Sequence, residues 1–172
     1  MPRHRHDPSK DFVGFVVGEV EYAVAIARVR EIANPLDVVA LPHSPGAILG
    51  VADYRGDVLP VVDLRLRFGL PAAEVTRRTK WIVVDISGRL AALVVDGVTE
   101  VFGTAGAELR PAPPLPGDDV RGIAGVSHHG GGLVFVLDLS RLRDLTEPLA
   151  LPASIPPPAP RRAIGSPPGS LT

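Results

Sequence analysis

The chain contains no cysteine. That absence excludes disulfide scaffolds, thiolate metal sites and cysteine nucleophiles together, and with them a disulfide-dependent secreted module. Aromatic residues are few, one Trp, two Tyr and five Phe in 172 residues, and all lie between Phe12 and Phe135. Neither sign of charge is in excess: 18 Lys and Arg stand against 19 Asp and Glu, a net charge of −1. A nucleic-acid-binding domain needs a net basic surface to meet phosphate, so that partner class is not expected. The longest apolar run, Leu90 to Val95, stops at Asp96, well short of the roughly 18 residues of a membrane helix. The leader Met1-Pro2-Arg3-His4-Arg5-His6-Asp7 opens no signal-peptide apolar core. A cytoplasmic protein with no membrane insertion of its own is the expectation.

Glycine and proline, by contrast, are plentiful, at 18 and 19 residues. Eight of the prolines fall from Pro148 onward. Residues 147–172, with Pro156-Pro157-Pro158 and Gly165-Ser166-Pro167-Pro168-Gly169, have no aromatic residue and no apolar period, and read as a disordered tail. Residues 1–10 read as a disordered leader, which leaves residues 11–146 as the folded unit. That length suits one domain or two small subdomains sharing a core.

Within it, Val, Ile and Leu gather in short runs broken by glycine or polar pairs, the pattern of many short strands. Four hairpins are expected. The first joins Phe12–Val17 to Val20–Ile26 through Gly18-Glu19, and the second joins Val51–Tyr54 to Val58–Asp63 through Arg55-Gly56-Asp57. The third joins Trp81–Ile86 to Arg89–Asp96 through Ser87-Gly88, with Val98–Phe102 continuing, and the fourth joins Ile123–Ser127 to Leu133–Leu137. Helical signals are short: one turn at Ile26–Glu31, a start at Pro45–Leu49 with Ser44 as N-cap, a turn from Asp63 stopped by Gly69, and a last one at Ser140–Leu145 capped by Asp138 or Ser140. None is long enough for a βαβ crossover, so an all-β fold of small antiparallel barrels is expected. The stretch from Gly50 to Leu64 also echoes Gly122 to Leu139, each a glycine-led strand, a turn, and an apolar strand ending Asp-Leu. Two related barrels would produce that echo, and so would a chance likeness of two hairpins.

Signals of chemistry are weak. Asp53, Asp57 and Asp63 are near in sequence, but turn and strand-end positions favour aspartates that cap backbone donors. His4 with His6, and His128 with His129, lack a third ligand nearby. No nucleophile elbow, phosphate loop or dinucleotide fingerprint is present. What remains is a β-rich domain with no apparent enzyme chemistry. The informative feature is Arg55-Gly56 between two apolar strands, which projects a guanidinium at a rim, either as a solvated turn arginine or as one suited to a partner's carboxylate.

The segment Gly50-Val51-Ala52-Asp53-Tyr54-Arg55-Gly56-Asp57-Val58-Leu59-Pro60-Val61-Val62-Asp63-Leu64-Arg65 resembles the signature of the CheW-like domain, the coupling module of bacterial chemosensory arrays. Gly50, Arg55, Gly56, Pro60, Asp63, Leu64 and Arg65 carry the match. Tyr22-Ala23, Val29-Arg30-Glu31-Ile32, Leu41-Pro42, the run from Leu93 to Val101, Ile123-Ala124-Gly125-Val126 and Leu137-Asp138-Leu139 follow the family's other blocks in order. Asp53-Tyr54 stands where the family usually has Asn-Leu and adds a charge beside the turn. Pro35 is a second departure, confined to its loop.

The resemblance implies two intertwined five-stranded SH3-like barrels with a few short helices and a groove between them. It implies a non-enzymatic, cofactor-free adaptor that links the cytoplasmic tip of a chemoreceptor to the regulatory domain of a CheA-type histidine kinase and is recruited to receptor arrays at the membrane. By position in the family pattern, Val29, Glu31, Val98 and Val101 belong to the groove that receives the receptor, and Arg55 with Gly56 forms the turn implicated in coupling. Core packing is the other role open to the valines, and an internal partner such as Asp53 or Glu31 is the other role open to Arg55. A stand-alone adaptor is expected rather than a kinase's own regulatory domain. Two alternatives remain open: an adaptor of the same fold in a type IV pilus or other chemosensory-like pathway, and a small β-barrel that binds a ligand or an oligonucleotide.

Overall fold

The short apolar runs become ten strands, and distant ones pair. The computed structural model describes residues 7–44, 46–103, 109–114 and 121–145. The strands are β1 (Phe12–Val17), β2 (Val20–Ala25), β3 (Val29–Ala33), β4 (Ile48–Tyr54), β5 (Asp57–Asp63), β6 (Lys80–Ile86), β7 (Arg89–Val95), β8 (Gly97–Phe102), β9 (Ile123–His129) and β10 (Gly132–Leu137). A single-turn helix, α1 (Leu64–Arg67), follows β5, and 3-10 turns occupy Pro8–Lys10, Ile26–Arg28 and Leu139–Leu145. Two five-stranded sheets result, in the orders β8-β1-β2-β10-β9 and β3-β6-β7-β5-β4. This is the expected all-β fold of two SH3-like barrels. They are intertwined because the whole second sheet is inserted in the chain between β2 and β8.

The sheets repeat one another. In each, an outer strand pairs antiparallel with the first strand of a hairpin (β8 with β1, β3 with β6), and the hairpin's second strand pairs in parallel with the next (β2 with β10, β7 with β5). Registers agree closely. Ile48 faces Val62 and Gly50 faces Val61 across a bulge, while Ile123 faces Leu137 and Gly125 faces Val136 across a bulge at the same place. Val51 is bridged by Val39, and Val126 by Arg110. Only glycine fits beside these bridges: a Cβ would lie 2.1 Å from the Val39 carbonyl oxygen at Gly50, and 2.7 Å from that of Arg110 at Gly125. The sequence echo is therefore a structural repeat, and the counterpart of Gly50 is Gly125, not Gly122.

Both faces of most strands are buried, which explains why runs such as Leu90–Val95 are nearly unbroken rather than alternating. One face of each sheet joins a common core that includes Phe15, Val24 and Leu137 from the first sheet and Val62, Ile82 and Leu93 from the second. The other faces build two smaller clusters. The second barrel's holds Leu59, Val61, Trp81, Val83 and Ala92. The first barrel's holds Ala23, Phe102, Val134 and Val136, with Phe12 packed against them. In the first barrel Gly14 lies beneath Phe102, whose ring is 3.2 Å from where a Gly14 Cβ would stand.

Two helical expectations are corrected. Ile26–Glu31 forms a helical turn only over Ile26–Arg28; Val29 begins β3, because its alternating half-buried and exposed residues fit a strand edge. Pro45–Leu49 does not open a helix: Ile48 and Leu49 start β4, and Ser44 Oγ donates backward to the Leu41 carbonyl at 3.1 Å instead of capping forward; Pro45 lies outside the described residues. The other two stand, with Asp63 capping α1 and Asp138 preceding the 3-10 turn Leu139–Leu145. The turn after β4 is also tighter than expected, because Asp57 already belongs to β5. His4, His6 and the Pro-rich tail lie outside the described residues.

Candidate partner-binding site

The turn between β4 and β5 is the two-residue Arg55-Gly56. Arg55 has φ 52° and Gly56 φ 86°, the left-handed pair whose twist matches the flanking strands. Glycine takes such a conformation freely and arginine does so at a cost of about 1–2 kcal/mol. Asp53 Oδ1 closes the turn by accepting from the Gly56 amide at 3.0 Å. The carboxylate that departs from the family's Asn thus does the work of a turn acceptor.

Glu31, on β3, faces this turn across the open edges of the second sheet, since β3 and β4 are its two outer strands. Glu31 Oε2 accepts from the Tyr54 hydroxyl and lies 2.9 Å from Arg55 Nη2. The Arg55 guanidinium also sits over the Tyr54 ring, 5.4 Å from its centroid. Donation to Glu31 holds the Tyr54 hydroxyl above the ordinary tyrosine pKa, and desolvation adds to the effect. Arg55 remains 73% exposed while Glu31 is 34% exposed. The arrangement is a clasp: one half-buried carboxylate fixes two neighbouring side chains of an exposed turn. Of the two roles open to Arg55, the structure supplies an internal partner, and that partner is Glu31.

The first barrel carries the same clasp in different chemistry. Glu100 occupies on β8 the place of Glu31 on β3, and His129 ends β9 where Tyr54 ends β4. His129 Nε2 lies 2.5 Å from Glu100 Oε1, and its ring stacks on Phe102 at 4.1 Å. His129 is thereby engaged by a carboxylate, not gathered with His128 around an ion. Among the described residues no group of three or more His, Asp or Glu is placed to hold a metal.

Val29 and Val98 are counterparts in the repeat, Val29 paired with Val84 and Val98 with Phe15. Both are half-buried and pack against the common core. Val101, further along β8, is 50% exposed. The structure thus brings Glu31, Arg55 and Gly56 into one cluster and sets Val29 on the same strand as Glu31. It leaves Val98 and Val101 on the outer strand of the other sheet. Gly56 is exposed, and a Cβ there would meet nothing within 4 Å; its role is the turn.

The remaining signature residues are structural. Asp63 Oδ1 accepts from the Arg65 amide at 2.8 Å, Leu64 is fully buried, and Arg65 Nη1 meets Asp96 Oδ2 at 2.7 Å. Asp96 Oδ2 also accepts from the Gly18 amide at 2.6 Å, tying the first hairpin to the second barrel. Sequence reasoning missed Tyr54 as a member of the clasp. The available signal was an aromatic residue with a hydroxyl beside an Arg-Gly turn, where an aliphatic residue is usual.

Residues 11–147 match the CheW-like domain family. The chain belongs to that family. It is 34% identical over 138 residues to a chemotaxis protein CheW of Rhizobium meliloti, covering 80% of this chain and 89% of the relative. It is 31% identical over 131 residues to that of Helicobacter pylori, covering 76% and 79%. The crystal structure of the scaffolding protein TtCheW from Thermoanaerobacter tengcongensis superposes with a TM-score of 0.68 at 28% identity, over 76% of this chain and 89% of that one. No helix among the described residues is long and apolar enough to cross a membrane.

Proposed function

We propose that the chain is a non-enzymatic adaptor of chemotaxis-type signal transduction, coupling the cytoplasmic tips of chemoreceptors to the regulatory domain of a CheA-type histidine kinase. The family match over residues 11–147 carries the reading. The receptor tip, a helical surface, lies along the apolar positions Val29, Val98 and Val101, in the manner of a helix in a groove. The Arg55-Gly56 turn, held in shape by Glu31, forms the rim through which the two partners are aligned. The adaptor does no chemistry. It works in the cytoplasm at receptor arrays and holds receptor and kinase in one geometry, so that the receptor's state biases the kinase's equilibrium.

Reconstitution with receptor cytoplasmic fragments on vesicles and a CheA-type kinase tests this. The expected result is receptor-dependent stimulation of kinase activity only when the adaptor is present. Val101→Asp should weaken co-sedimentation with receptor more than pull-down of kinase, because a carboxylate facing an apolar helix loses hydration at a cost of roughly a few kcal/mol. Failure of the unaltered chain to bind either partner would overturn the assignment. A Val101→Asp protein that does not fold would make that valine a core residue.

A further inference from the structure

We propose that the cleft between α1 and the start of β9 binds a small monocarboxylic acid with an aromatic or branched aliphatic body. It lies apart from the clasp and the β8 valines, and the proposal does not depend on the adaptor reading. The cleft measures about 470 Å³ and is walled by Val20, Phe68, Leu70, Ile123 and Phe135. That is within the usual range for small-molecule sites, whose walls are mostly carbon with a few placed polar groups.

Two such groups are present. Tyr22 lines the cleft and is only 4% exposed. Its ring is fixed by Phe15, Phe68 and Phe135 at centroid distances of 5.9, 5.0 and 6.1 Å. Its hydroxyl has no hydrogen-bond partner among the described residues, although buried hydroxyls ordinarily find one. Arg121 lines the same cleft and acts electrostatically on the Tyr22 phenol. It forms no ion pair with a carboxylate of the described residues, Glu19 at the rim included. The other guanidinium, Arg65, is already engaged by Asp96 at 2.7 Å and by the Pro71 carbonyl at 2.9 Å. An apolar cleft that offers a phenol hydroxyl and a guanidinium with no carboxylate partner among the described residues matches a ligand with one carboxylate and a hydrocarbon body. A neutral hydrocarbon would leave both donors unanswered, and a phosphate would leave the aromatic walls wet.

The internal repeat supplies a comparison. The corresponding crevice of the other half has Ser87 in the place of Gly18 and Ser140 in the place of Arg65. It is only about 170 Å³, and Asp85 and Asp138 line it. In the place of Tyr22 the second barrel has Ala91, as the pairing of Tyr22 with Phe15 and of Ala91 with Val84 shows. The aromatic, cationic cleft is therefore a property of these side chains rather than of the fold.

Calorimetric and NMR titration of the full chain with 4-phenylbutyrate and with its neutral amide tests the proposal. The expected result is saturable one-to-one binding of the acid in roughly the millimolar range or tighter, with the largest shifts at the amides of Gly18, Phe68 and Ile123. The amide should bind at least about tenfold more weakly, and Arg121→Gln should weaken the acid by about tenfold, the effect of one charge-assisted hydrogen bond. Tyr22→Phe should weaken it by roughly threefold to tenfold. No saturation at tens of millimolar, equal binding of acid and amide, or an Arg121→Gln protein that binds the acid unchanged would each overturn it. The comparison of acid with amide uses the unaltered chain, so it decides even where a variant is unstable.

Discussion

Glu31 shows how one side chain sets the character of a surface. Its carboxylate holds both Tyr54 and Arg55, so the rim turn presents a fixed guanidinium face instead of a mobile one. An exposed ion pair of this kind contributes little to folding, typically under about 1 kcal/mol. Arg55→Glu should therefore leave the melting temperature nearly unchanged, yet it sets a second carboxylate against Glu31 in place of the cation and frees the turn. We expect it to abolish receptor-dependent stimulation of the kinase. The double exchange Glu31→Arg with Arg55→Glu separates two roles. If the clasp acts by shaping the turn, the exchange restores part of the stimulation. If the Arg55 guanidinium itself meets a partner carboxylate, the exchange stays as defective as the single change. Full signalling by folded Arg55→Glu would remove this turn from the coupling path.

At the scale of elements, strand ends and caps were more legible than edges. Asp63 and Asp138 each follow an apolar strand and precede a Leu, and each accepts the amide two residues on. Asp138 Oδ1 also accepts from the Ser140 hydroxyl, which with the backbone bond holds its pKa below the ordinary carboxylate value. A carboxyl with a lowered folded pKa contributes stability that is present above its ordinary value and is lost as pH falls through the lowered one. Asp138→Ala should thus cost about 1 kcal/mol at neutral pH, as loss of a helix cap does. Its difference from the unaltered chain, followed by thermal melts, should shrink on acidification below the carboxylate range. A difference independent of pH would deny the carboxylate that role. β3 was illegible for a local reason. Ile26 to Glu31 has no unbroken apolar run, and its strand character comes from pairing with β6, a partner far away in the chain. Tyr54 was readable as a departure from the family pattern, but its bond to Glu31 depends on that same long-range pairing.

For the molecule as a whole, hairpins and turns could be read locally, whereas the parallel pairings of β2 with β10 and β7 with β5 could not, because nothing in either segment names its partner. Those pairings decide how the barrels share stability. The first sheet is completed only when β8, β9 and β10 return after the whole second sheet, and its inner face lies on a core built jointly with the second. Two barrels with separate cores would unfold in two steps, while a common core couples them into one. The single Trp makes the distinction measurable, since Trp81 lies in the small cluster private to the second barrel. Leu142, fully buried in the common core from the C-terminal 3-10 turn, gives a remote perturbation. Leu142→Ala should cost about 2–5 kcal/mol, the transfer and cavity terms together. In denaturant titrations Trp fluorescence and far-UV circular dichroism should coincide for the unaltered chain. Both should move by the same amount in Leu142→Ala, although Leu142 belongs to the common core and not to the Trp81 cluster. A Trp81 transition that stays in place while the circular dichroism shifts would mean that the barrels fold independently.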